Sequence, residues 1–374
     1  MTRARILVVD DDAGMLRAAE RVLGTQYDVS CCQSSRDALA RVSTFEPDVA
    51  LLDVRMPELS GFQLRESLRD LHPGLDVIFM TGSLNHLDAT FIRAIRAHAF
   101  YFIQKPFDRD VLLTLMERCL ELRRLSAENR RHTSRLEAEL AAARAFQQSL
   151  LPPASAQIEG LAIEARYLPC AELGGDLYDY AASGPGRATL LIADVAGHGV
   201  RAAMLTGVVK AAFDASHVDD YEPRAIIRRI AEGVRRFELA RFVTAVCARV
   251  DVTRGALEYV NAGHPGGAKW AAGGGNILRL ESTGPFASAA FPDARWAQPV
   301  LEWAHGDALL LFTDGLSDTW QGDEPFGEER IVTEIGRHRD GGGALLDALV
   351  DEARRFAGGT EAGDDLTVIT ARLA

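Results

Sequence analysis

The chain has 374 residues, of which 47% are hydrophobic and 25% are charged, and its formal net charge is −12. The length predicts two or three domains, and the composition is typical of soluble globular proteins rather than of disordered or fibrous ones. The acidic charge argues against nucleic acid as a partner, because nucleic acids are bound by basic patches and the sequence shows none.

The cysteines and the apolar runs indicate where the chain is found. Five cysteines show neither paired spacing nor a C-x-x-C metal pattern, although Cys31 and Cys32 are adjacent. This usage predicts reduced thiols rather than disulfides. No apolar run reaches the roughly 18 residues of a membrane span. The strand Ile6–Val9 also begins too early for a signal peptide, so we expect a cytoplasmic protein that does not enter a membrane.

Residues 1–120 alternate between short apolar runs typical of strands and amphipathic runs typical of helices. The expected strands are Ile6–Val9, Tyr27–Cys31, Val49–Leu52, Val77–Met80 and Tyr101–Ile103. The expected helices are Gly14–Leu23, Ser35–Thr44, Phe62–Leu71, Leu87–Ala97 and one that begins near Asp108. This alternation predicts a five-stranded, doubly wound parallel sheet, in which functional residues collect at the carboxyl ends of the strands. Those ends carry Asp10, Asp11, Asp53, Thr81 and Lys105.

The pattern of these residues resembles the receiver domain of two-component response regulators, which has a flavodoxin-like fold. The resemblance implies that Asp53 is the phosphoacceptor and that a sensor histidine kinase is a partner. It also implies that Asp10, Asp11, Asp53 and the Arg55 carbonyl hold Mg²⁺, since neighbouring carboxylates repel each other and recruit a divalent cation. Lys105 would then pair with the phosphoryl oxygens.

Two further positions match the switch residues of the receiver family. Thr81 matches the hydroxyl that senses phosphorylation, and Phe102, three residues before Lys105, matches the aromatic switch position. His98 stands where the family usually has a glycine that ends a helix. The resemblance therefore implies a receiver that responds to phosphorylation, with one departure that bears on its output face.

Residues 108–151 form a connector that overlaps the last receiver helix. From Val111 to about Leu150 the pattern is helical and contains no proline. A seven-residue register places Leu115, Leu122, Asn129, Leu136, Ala143 and Leu150 in one column. The second column is less apolar and holds Arg118, Leu125, His132, Glu139 and Phe146. A single Asn in an apolar column is typical of a parallel two-stranded coiled coil. We therefore predict one long helix that pairs in a homodimer; an amphipathic helix lying on one of its own domains is the alternative.

Residues 152–374 contain runs of strands that are separate from the helices, which predicts a layered α+β domain. The expected strands are Leu161–Tyr167, Thr189–Ala193, Val243–Val250, Leu257–Ala262, Ala308–Phe312 and Leu366–Ala371. The expected helices follow Gly199 and Pro223 and lie near 328–338 and 343–357.

Four acidic positions of this segment lie beside glycine at strand edges: Asp176, Asp194, Asp314 and the pair Asp364-Asp365. One aspartate at a strand end is usually a cap or a turn residue. Four such positions favour carboxylates that converge on hard divalent cations, since Mg²⁺ and Mn²⁺ prefer oxygen ligands. Hydrolytic sites of this type hold two ions about 3.5–4 Å apart that share a bridging carboxylate.

Six segments that include these positions resemble, in the same order, the PPM-type serine/threonine phosphatases of the SpoIIE/RsbU branch. They are Gln147–Pro152, Gly174–Asp179, Asp194–Gly199, Asn261–Pro265, Thr313–Gly315 and Asp364–Thr367. The resemblance covers essentially the whole of residues 152–374. It implies hydrolysis of phosphoserine or phosphothreonine by a water that two Mn²⁺ or Mg²⁺ ions share.

Carried over to this chain, the resemblance assigns the ligands individually. Asp194 would bridge the two ions, and the Val195 carbonyl would bind one of them. Asp314 and Asp364 would bind the other ion, and Asp176 would hold the cluster through water. Asp365 is a further candidate ligand. His198 is a candidate for donating a proton to the leaving group or, alternatively, for shaping the loop.

Two features of the same segment bear on its interpretation. His264 beside Asn261 is interpreted as a buried structural pair rather than as a catalytic residue. Gly266-Gly267 and Gly284–Ala287 depart from the family pattern, and no arginine can be assigned to the substrate phosphate.

The sequence therefore predicts a response regulator whose phosphatase domain is controlled by phosphorylation of Asp53. Members of this phosphatase family act on STAS-type anti-sigma-factor antagonists, which implies such a protein as the substrate. The alternative is a catalytically silent adaptor that binds a sigma factor or another partner, although adaptors of that kind lose metal carboxylates. A DNA-binding response regulator is disfavoured because the sequence shows no helix-turn-helix.

Overall fold

The computed structural model describes residues 3–82, 101–197, 199–237, 242–271, 273–358 and 363–373. The chain divides into two compact units, Met1–Leu136 and Glu137–Ala374. No helix in the described ranges combines the length and the apolarity that a membrane crossing requires. The expected helix Leu87–Ala97 and the neighbouring His98 fall outside the described residues.

The first unit is built on a five-stranded parallel sheet. Its strands are β1 (Arg5–Val9), β2 (Asp28–Cys32), β3 (Val49–Asp53), β4 (Asp76–Thr81) and β5 (Tyr101–Gln104), in the order β2-β1-β3-β4-β5. The described helices are α1 (Ala13–Leu23), α2 (Ser35–Phe45), α3 (Gly61–Leu71) and the long α4 (Arg109–Ser149), which starts in this unit. The predicted doubly wound receiver fold is confirmed.

Helices cover both faces of this sheet. Ile6 and Val8 of β1 belong to a buried cluster with residues of α1 and α4. Leu7 and Val9 belong to a second cluster with residues of α2 and α3. Successive side chains of a strand point to opposite faces, so a strand buried on both faces consists of apolar residues without interruption. The apolar run at residues 6–9 reflects this arrangement.

The second unit contains fourteen strands among the residues described. In chain order they are β6 (Ser155–Ile158), β7 (Leu161–Leu168), β8 (Asp176–Gly184), β9 (Arg187–Val195), β10 (Phe242–Asp251), β11 (Ala256–Ala262), β12 (Gly266–Ala271), β13 (Leu278–Arg279), β14 (Ala287–Ser288), β15 (Val300–Glu302), β16 (Asp307–Phe312), β17 (Trp320–Gln321), β18 (Glu324–Pro325) and β19 (Leu366–Leu373). One sheet has the order β15-β11-β10-β9-β8, with β14 beside β10. The other has the order β13-β12-β16-β19-β7-β6, and β17 pairs with β18.

Helices lie on the outer faces of these two antiparallel sheets. They are α5 (Val200–Asp214), α6 (Pro223–Val234), the short α7 (Asp314–Ser317), α8 (Gly327–Arg337) and α9 (Gly343–Phe356). One buried cluster joins the two sheets, a second joins the β8–β11 sheet to α5 and α6, and a third joins the other sheet to α8 and α9. The unit is thus a four-layer sandwich, which confirms the predicted layered α+β domain.

Eight of the fourteen described strands were not predicted from the sequence: β6, β8, β12, β13, β14, β15, β17 and β18. The longest of these are β8 and β12. β8 carries two aspartates and several small residues, and β12 begins with Gly266-Gly267. Neither segment contains an apolar run or a regular alternation, so local propensity does not mark them as strands. Pairing with β9 and β16 places them within the sheets.

Candidate phosphoacceptor site and metal centre

The acidic residues of the first unit meet at the carboxyl edge of its sheet. Asp10 follows β1 and Asp53 ends β3, and these strands are neighbours. Lys105 follows β5, and its Nζ lies 2.6 Å from Asp10 Oδ2 and 2.8 Å from Asp53 Oδ1. Its backbone N–H donates to the Thr81 carbonyl at the end of β4. The structure therefore brings three of the predicted site residues into direct contact.

Burial and charge shift the pKa values in this site. Burial raises the pKa of Asp53; Lys105 opposes the rise, while Asp10 and Asp11 add to it. Burial disfavours a charged Lys105, yet its hydrogen bonds to Asp10 and Asp53 raise the pKa of the ammonium. One carboxylate oxygen from each of Asp10, Asp11 and Asp53 lies within 4.8 Å of the others. Three close carboxylates fit a hard divalent cation such as Mg²⁺.

The remaining receiver candidates lie around this cluster. Thr81 is buried at the end of β4, and Arg55 is exposed in the loop after β3. Phe102 is half-buried in β5 and stacks on Phe79, with ring centroids 5.4 Å apart. This stacking places an aromatic side chain between the sheet and solvent, where a change of rotamer would alter the surface.

Asp176 and Asp194 face each other in the second unit. Asp176 begins β8, Asp194 is the next-to-last residue of β9, and the two are direct partners in the antiparallel register. Directly opposite residues point to the same face, so the two carboxylates lie side by side. A Cβ on Gly175 would lie 2.6 Å from the Val195 carbonyl oxygen, closer than real Cβ contacts allow. Glycine is therefore required where the chain enters β8.

The second sheet supplies the other carboxylates. Asp314 lies two residues after the end of β16, and Asp364-Asp365 directly precedes β19, which is the neighbour of β16. Gly315 packs directly against the Asp365 carbonyl, and a side chain there would collide with it. The ends of two paired strands thus carry three acidic residues to one edge of the sheet.

Two threonines connect this sheet to Asp176. Thr313 Oγ1 and Thr367 Oγ1 donate to Asp176 Oδ2 over 2.8 and 2.6 Å. These hydrogen bonds to Asp176 were not predicted from the sequence, although both threonines lie in segments that carry the resemblance to the phosphatases. The hydrogen bonds hold a buried carboxylate of one sheet with hydroxyls of the other, which fixes the relative position of the two sheets at the site.

Asp365 orders the loop that leads into β8. Its Oδ1 accepts the Cys170 backbone N–H at 2.8 Å, and its Oδ2 accepts that of Gly175 at 2.5 Å. Cys170 Sγ and one oxygen each of Asp364 and Asp365 lie within 4.8 Å of one another, and burial raises the pKa of Cys170 to about 12. Asp365 therefore has a positioning role whether or not it also binds a cation.

Burial and mutual repulsion raise the pKa values of the acidic residues in this cluster. Burial, together with the neighbouring charges of Asp314, Asp364 and Asp365, raises the pKa of Asp194 to about 7. Burial and Asp194 raise the pKa of Asp176 well above its usual value, and burial also raises that of Asp314. Among the described residues, no lysine or arginine forms an ion pair with Asp176, Asp194, Asp314 or Asp365. An all-oxygen donor set with this excess of charge fits Mg²⁺ or Mn²⁺.

Gln147, near the end of α4, contacts the loop that leads into β8, a role that the sequence did not reveal. Gln147 Nε2 donates to the Gly174 carbonyl at 2.6 Å, and its Oε1 accepts the Gly174 N–H at 3.2 Å. The side chain is buried, and Nε2 also lies 3.4 Å from Thr206 Oγ1 of α5. A glutamine in a helix gives no sequence signal of burial. Only the structure therefore shows these hydrogen bonds, which fix the glycine pair before Asp176.

His264 is the structural residue that the sequence analysis expected. Its N–H is accepted by Asn261 Oδ1 at 2.8 Å, and its ring nitrogens contact the Phe312 carbonyl and Thr244 Oγ1 at 2.9 and 2.8 Å. The carbonyl only accepts, so Nε2 carries the proton and Nδ1 accepts from the Thr244 hydroxyl. This neutral ring connects the strand opposite Asp194 to the strand that leads to Asp314. His198 lies outside the described residues.

Acid is expected to destabilise the second unit through His264. Burial lowers the pKa of His264 to about 4, whereas an unfolded histidine titrates near 6.5. Between these pH values the unfolded state binds more protons, so the free energy of unfolding falls as the pH falls, by about 3 kcal/mol in total. Fluorescence reports this unit selectively, because the four tryptophans are Trp270, Trp296, Trp303 and Trp320.

Urea unfolding of the metal-free protein at several pH values between 7 and 4 checks this expectation. His264→Gln keeps a donor for the Phe312 carbonyl but has no titrating ring. The wild type should lose stability more steeply than this variant as the pH falls. Equal pH slopes would show that His264 does not set the acid sensitivity.

Comparisons with known proteins agree with both units. The family model described as Stage II sporulation protein E (SpoIIE) matches residues 184–374, and the response regulator receiver domain model matches residues 6–117. Regulatory protein AtoC of Escherichia coli (strain K12) is 34% identical over 127 residues, which cover 34% of this chain and 27% of AtoC. Phosphoserine phosphatase RsbP of Bacillus subtilis (strain 168) is 30% identical over 187 residues, which cover 48% of this chain and 45% of RsbP.

Among solved structures, the SiaA-PP2C domain of Pseudomonas aeruginosa superposes with a TM-score of 0.57 at 24% identity and covers 65% of this chain and 99% of that domain. This likeness concerns the fold, and the SpoIIE model covers more than half of the chain. The chain therefore belongs to the SpoIIE family and joins a response regulator receiver domain to a phosphatase domain of the PPM (PP2C) type.

Proposed function

We propose that the chain is a metal-dependent phosphatase that removes phosphate from serine or threonine of a regulatory protein, under control of its receiver. The observation that carries this proposal is the set of carboxylates from both sheets, in which Asp176 and Asp194 lie side by side without a described cationic partner. The name of its relative RsbP, a phosphoserine phosphatase, supports the reaction class.

The proposed ligands are those that the resemblance to the phosphatase family implies. Asp194 would bridge two ions, the Val195 carbonyl would bind one of them, and Asp314 and Asp364 would bind the other, while Asp176 would act through water. Asp365 is a less direct candidate, since both of its oxygens already accept backbone N–H groups. Two Mn²⁺ or Mg²⁺ ions would activate a water for in-line attack and neutralise charge on the phosphoryl group.

The chain's own contribution is to position these carboxylates before substrate arrives. Thr313 and Thr367 fix the Asp176 carboxylate, and Asp365 fixes the backbone that precedes Asp176 through its hydrogen bonds to two N–H groups. Preorganised groups need no rearrangement when charge develops in the reaction. His198 is retained as a proposed proton donor or loop residue.

As substrate we propose a phosphorylated STAS-type anti-sigma-factor antagonist. The experiment is turnover of a phosphoserine STAS protein with Mn²⁺, with Mg²⁺ and with excess chelator. Turnover that depends on the ion supports the proposal. A protein that binds the STAS protein or a sigma factor but releases no phosphate under any of these conditions would instead be the silent adaptor.

For the receiver we propose phosphorylation of Asp53 by a sensor histidine kinase, with Mg²⁺ held by Asp10, Asp11, Asp53 and the Arg55 carbonyl. The ammonium of Lys105 already lies 2.8 Å from Asp53 Oδ1, where it would meet the phosphoryl oxygens. Thr81 and Phe102 are the proposed switch residues. We further propose the division into a receiver at 1–120, a connector at 108–151 and a phosphatase domain at 152–374.

We also propose that the connector pairs two copies of the chain. Leu122, Leu125 and Leu136 of α4 are 44, 48 and 59% exposed in the single chain. These residues belong to the two columns expected at the contact of a coiled coil, and Asn129 lies exposed in the same stretch. A second copy of α4 would cover them.

Leu136→Arg is therefore expected to raise the dimer dissociation constant by at least about a hundredfold. Each dimer loses two buried leucines, at about 1.5–3 kcal/mol for each side chain. Sedimentation equilibrium over a range of concentrations measures the constant. Ser134→Arg adds the same charge on the opposite face of the helix and should leave it unchanged. A monomeric wild type, or equal effects of the two variants, would refute pairing through the connector.

A further inference from the structure

A groove beside the metal centre has no role in the function proposed above. Its volume is about 600 Å³, within the range of about 300–1,000 Å³ of sites that hold small ligands. Asp364 forms part of its wall, as does Gly315, which follows Asp314. A molecule in the groove would therefore be adjacent to the carboxylates that we assign to the metal ions.

The interior of this groove is apolar and belongs to rigid elements. Val350 and Ala353 of α9 and Leu366 of β19 are all at least nine-tenths buried and line it. Leu168, at the end of β7, lines it as well. Apolar surface of this kind favours an apolar group over water.

The exposed lining residues are of a different kind. Trp320 is 54% exposed, and Arg354 is exposed on the helix face that also carries Val350. Within the described part of the chain Arg354 forms no ion pair, whereas its neighbour Arg355 pairs with Glu352. The exposed carboxylates of Asp318 and Asp364 also line the groove, so its entrance has no net positive charge. The aromatic ring at the entrance suits an apolar side chain of a peptide segment.

We propose that this groove receives a large apolar side chain that flanks the phosphoserine of the protein substrate. The inference rests on the proposed phosphatase function, because only a phosphoserine at the metal centre places its flanking residues here. The groove would then raise kcat/KM for some phosphoproteins over others, whereas the metal centre alone would hydrolyse them with similar kcat/KM. Selection through one apolar side chain is expected to be about tenfold or more in kcat/KM.

The test uses two phosphoserine peptides of equal charge, with leucine or glycine two residues to either side of the phosphoserine. Turnover of p-nitrophenyl phosphate, which lacks flanking side chains, provides the reference for the metal centre. The wild type should prefer the leucine peptide about tenfold. Ala357→Trp places a large side chain in the groove and should bring the ratio of the two peptides close to one. Asp351→Trp adds the same side chain at an exposed position of α9 that does not line the groove and should keep the preference.

Binding provides a readout that does not depend on turnover. Trp320 lines the groove, so its fluorescence should change on titration with the leucine peptide, and Trp320→Phe should lose that change. A protein that binds the leucine peptide in this way but hydrolyses neither peptide nor p-nitrophenyl phosphate would keep the groove and refute the phosphatase. Equal affinity and equal turnover of the two peptides in the wild type, or a preference that survives Ala357→Trp, would overturn the proposed groove.

Discussion

Asp194→Asn is expected to lower kcat on a phosphoprotein about a thousandfold. The substitution keeps the size of the side chain but removes the charge that we assign to the bridging position, and metal-ion stabilisation of phosphoryl charge contributes several kcal/mol. Phosphate release at saturating Mn²⁺ measures the effect. Asp293→Asn, at an exposed position that is not among the proposed metal ligands, is the matched control and should have wild-type activity.

The same variant should remain folded, which separates loss of chemistry from loss of structure. The raised pKa of Asp194 shows that its charged form is unfavourable among its acidic neighbours, so a neutral amide relieves repulsion in the metal-free protein. We expect Asp194→Asn to melt no earlier than the wild type without metal, and to gain less stability from added Mn²⁺ because bound ions stabilise the folded state by mass action. Wild-type turnover in this variant, or in excess chelator, would refute the two-ion centre.

The receiver fold could be predicted from the sequence because most of its strands are short apolar runs, and one amphipathic helix follows each of β1, β2 and β3. Its key side chains also follow strand ends directly, so the topology alone brings Asp10 and Asp53 together. The ion pairs of Lys105 with both carboxylates were not predicted, since β5 lies beside β4 and the resemblance implied only a contact of Lys105 with phosphoryl oxygens.

The geometry of the phosphatase centre was harder to predict from the sequence, because it depends on contacts between residues that are far apart in the chain. The pairing of Asp176 with Asp194 depends on β8, which has no local strand signal. The hydroxyls that hold Asp176 come from the other sheet, more than a hundred residues later in the chain. The acidic positions could be predicted because glycine must accompany them wherever backbones approach closely, as Gly175 approaches Val195.

Asp53→Ala is expected to abolish phosphorylation of the receiver. Incubation of the wild type with acetyl phosphate and Mg²⁺ should add one phosphoryl group per chain, measured by intact-protein mass spectrometry. Chelation should prevent the modification, because three close carboxylates must otherwise accept further negative charge without a compensating cation. Asp70→Ala, which removes an exposed carboxylate of α3, should be modified like the wild type.

Control of the phosphatase by the receiver can then be tested with the same pair of variants. Beryllofluoride mimics the phosphoryl group, and it should change phosphoprotein turnover in the wild type and in Asp70→Ala but leave Asp53→Ala unchanged. The reason lies at Lys105, which contacts both Asp10 and Asp53, so an added anionic group on Asp53 must redistribute these contacts. The Lys105 N–H also donates to the backbone carbonyl of Thr81, the proposed switch residue. If beryllofluoride binds at Asp53 and turnover stays the same, the receiver does not act on the phosphatase through this residue. If acetyl phosphate modifies Asp53→Ala to the wild-type extent, the phosphoacceptor is another residue.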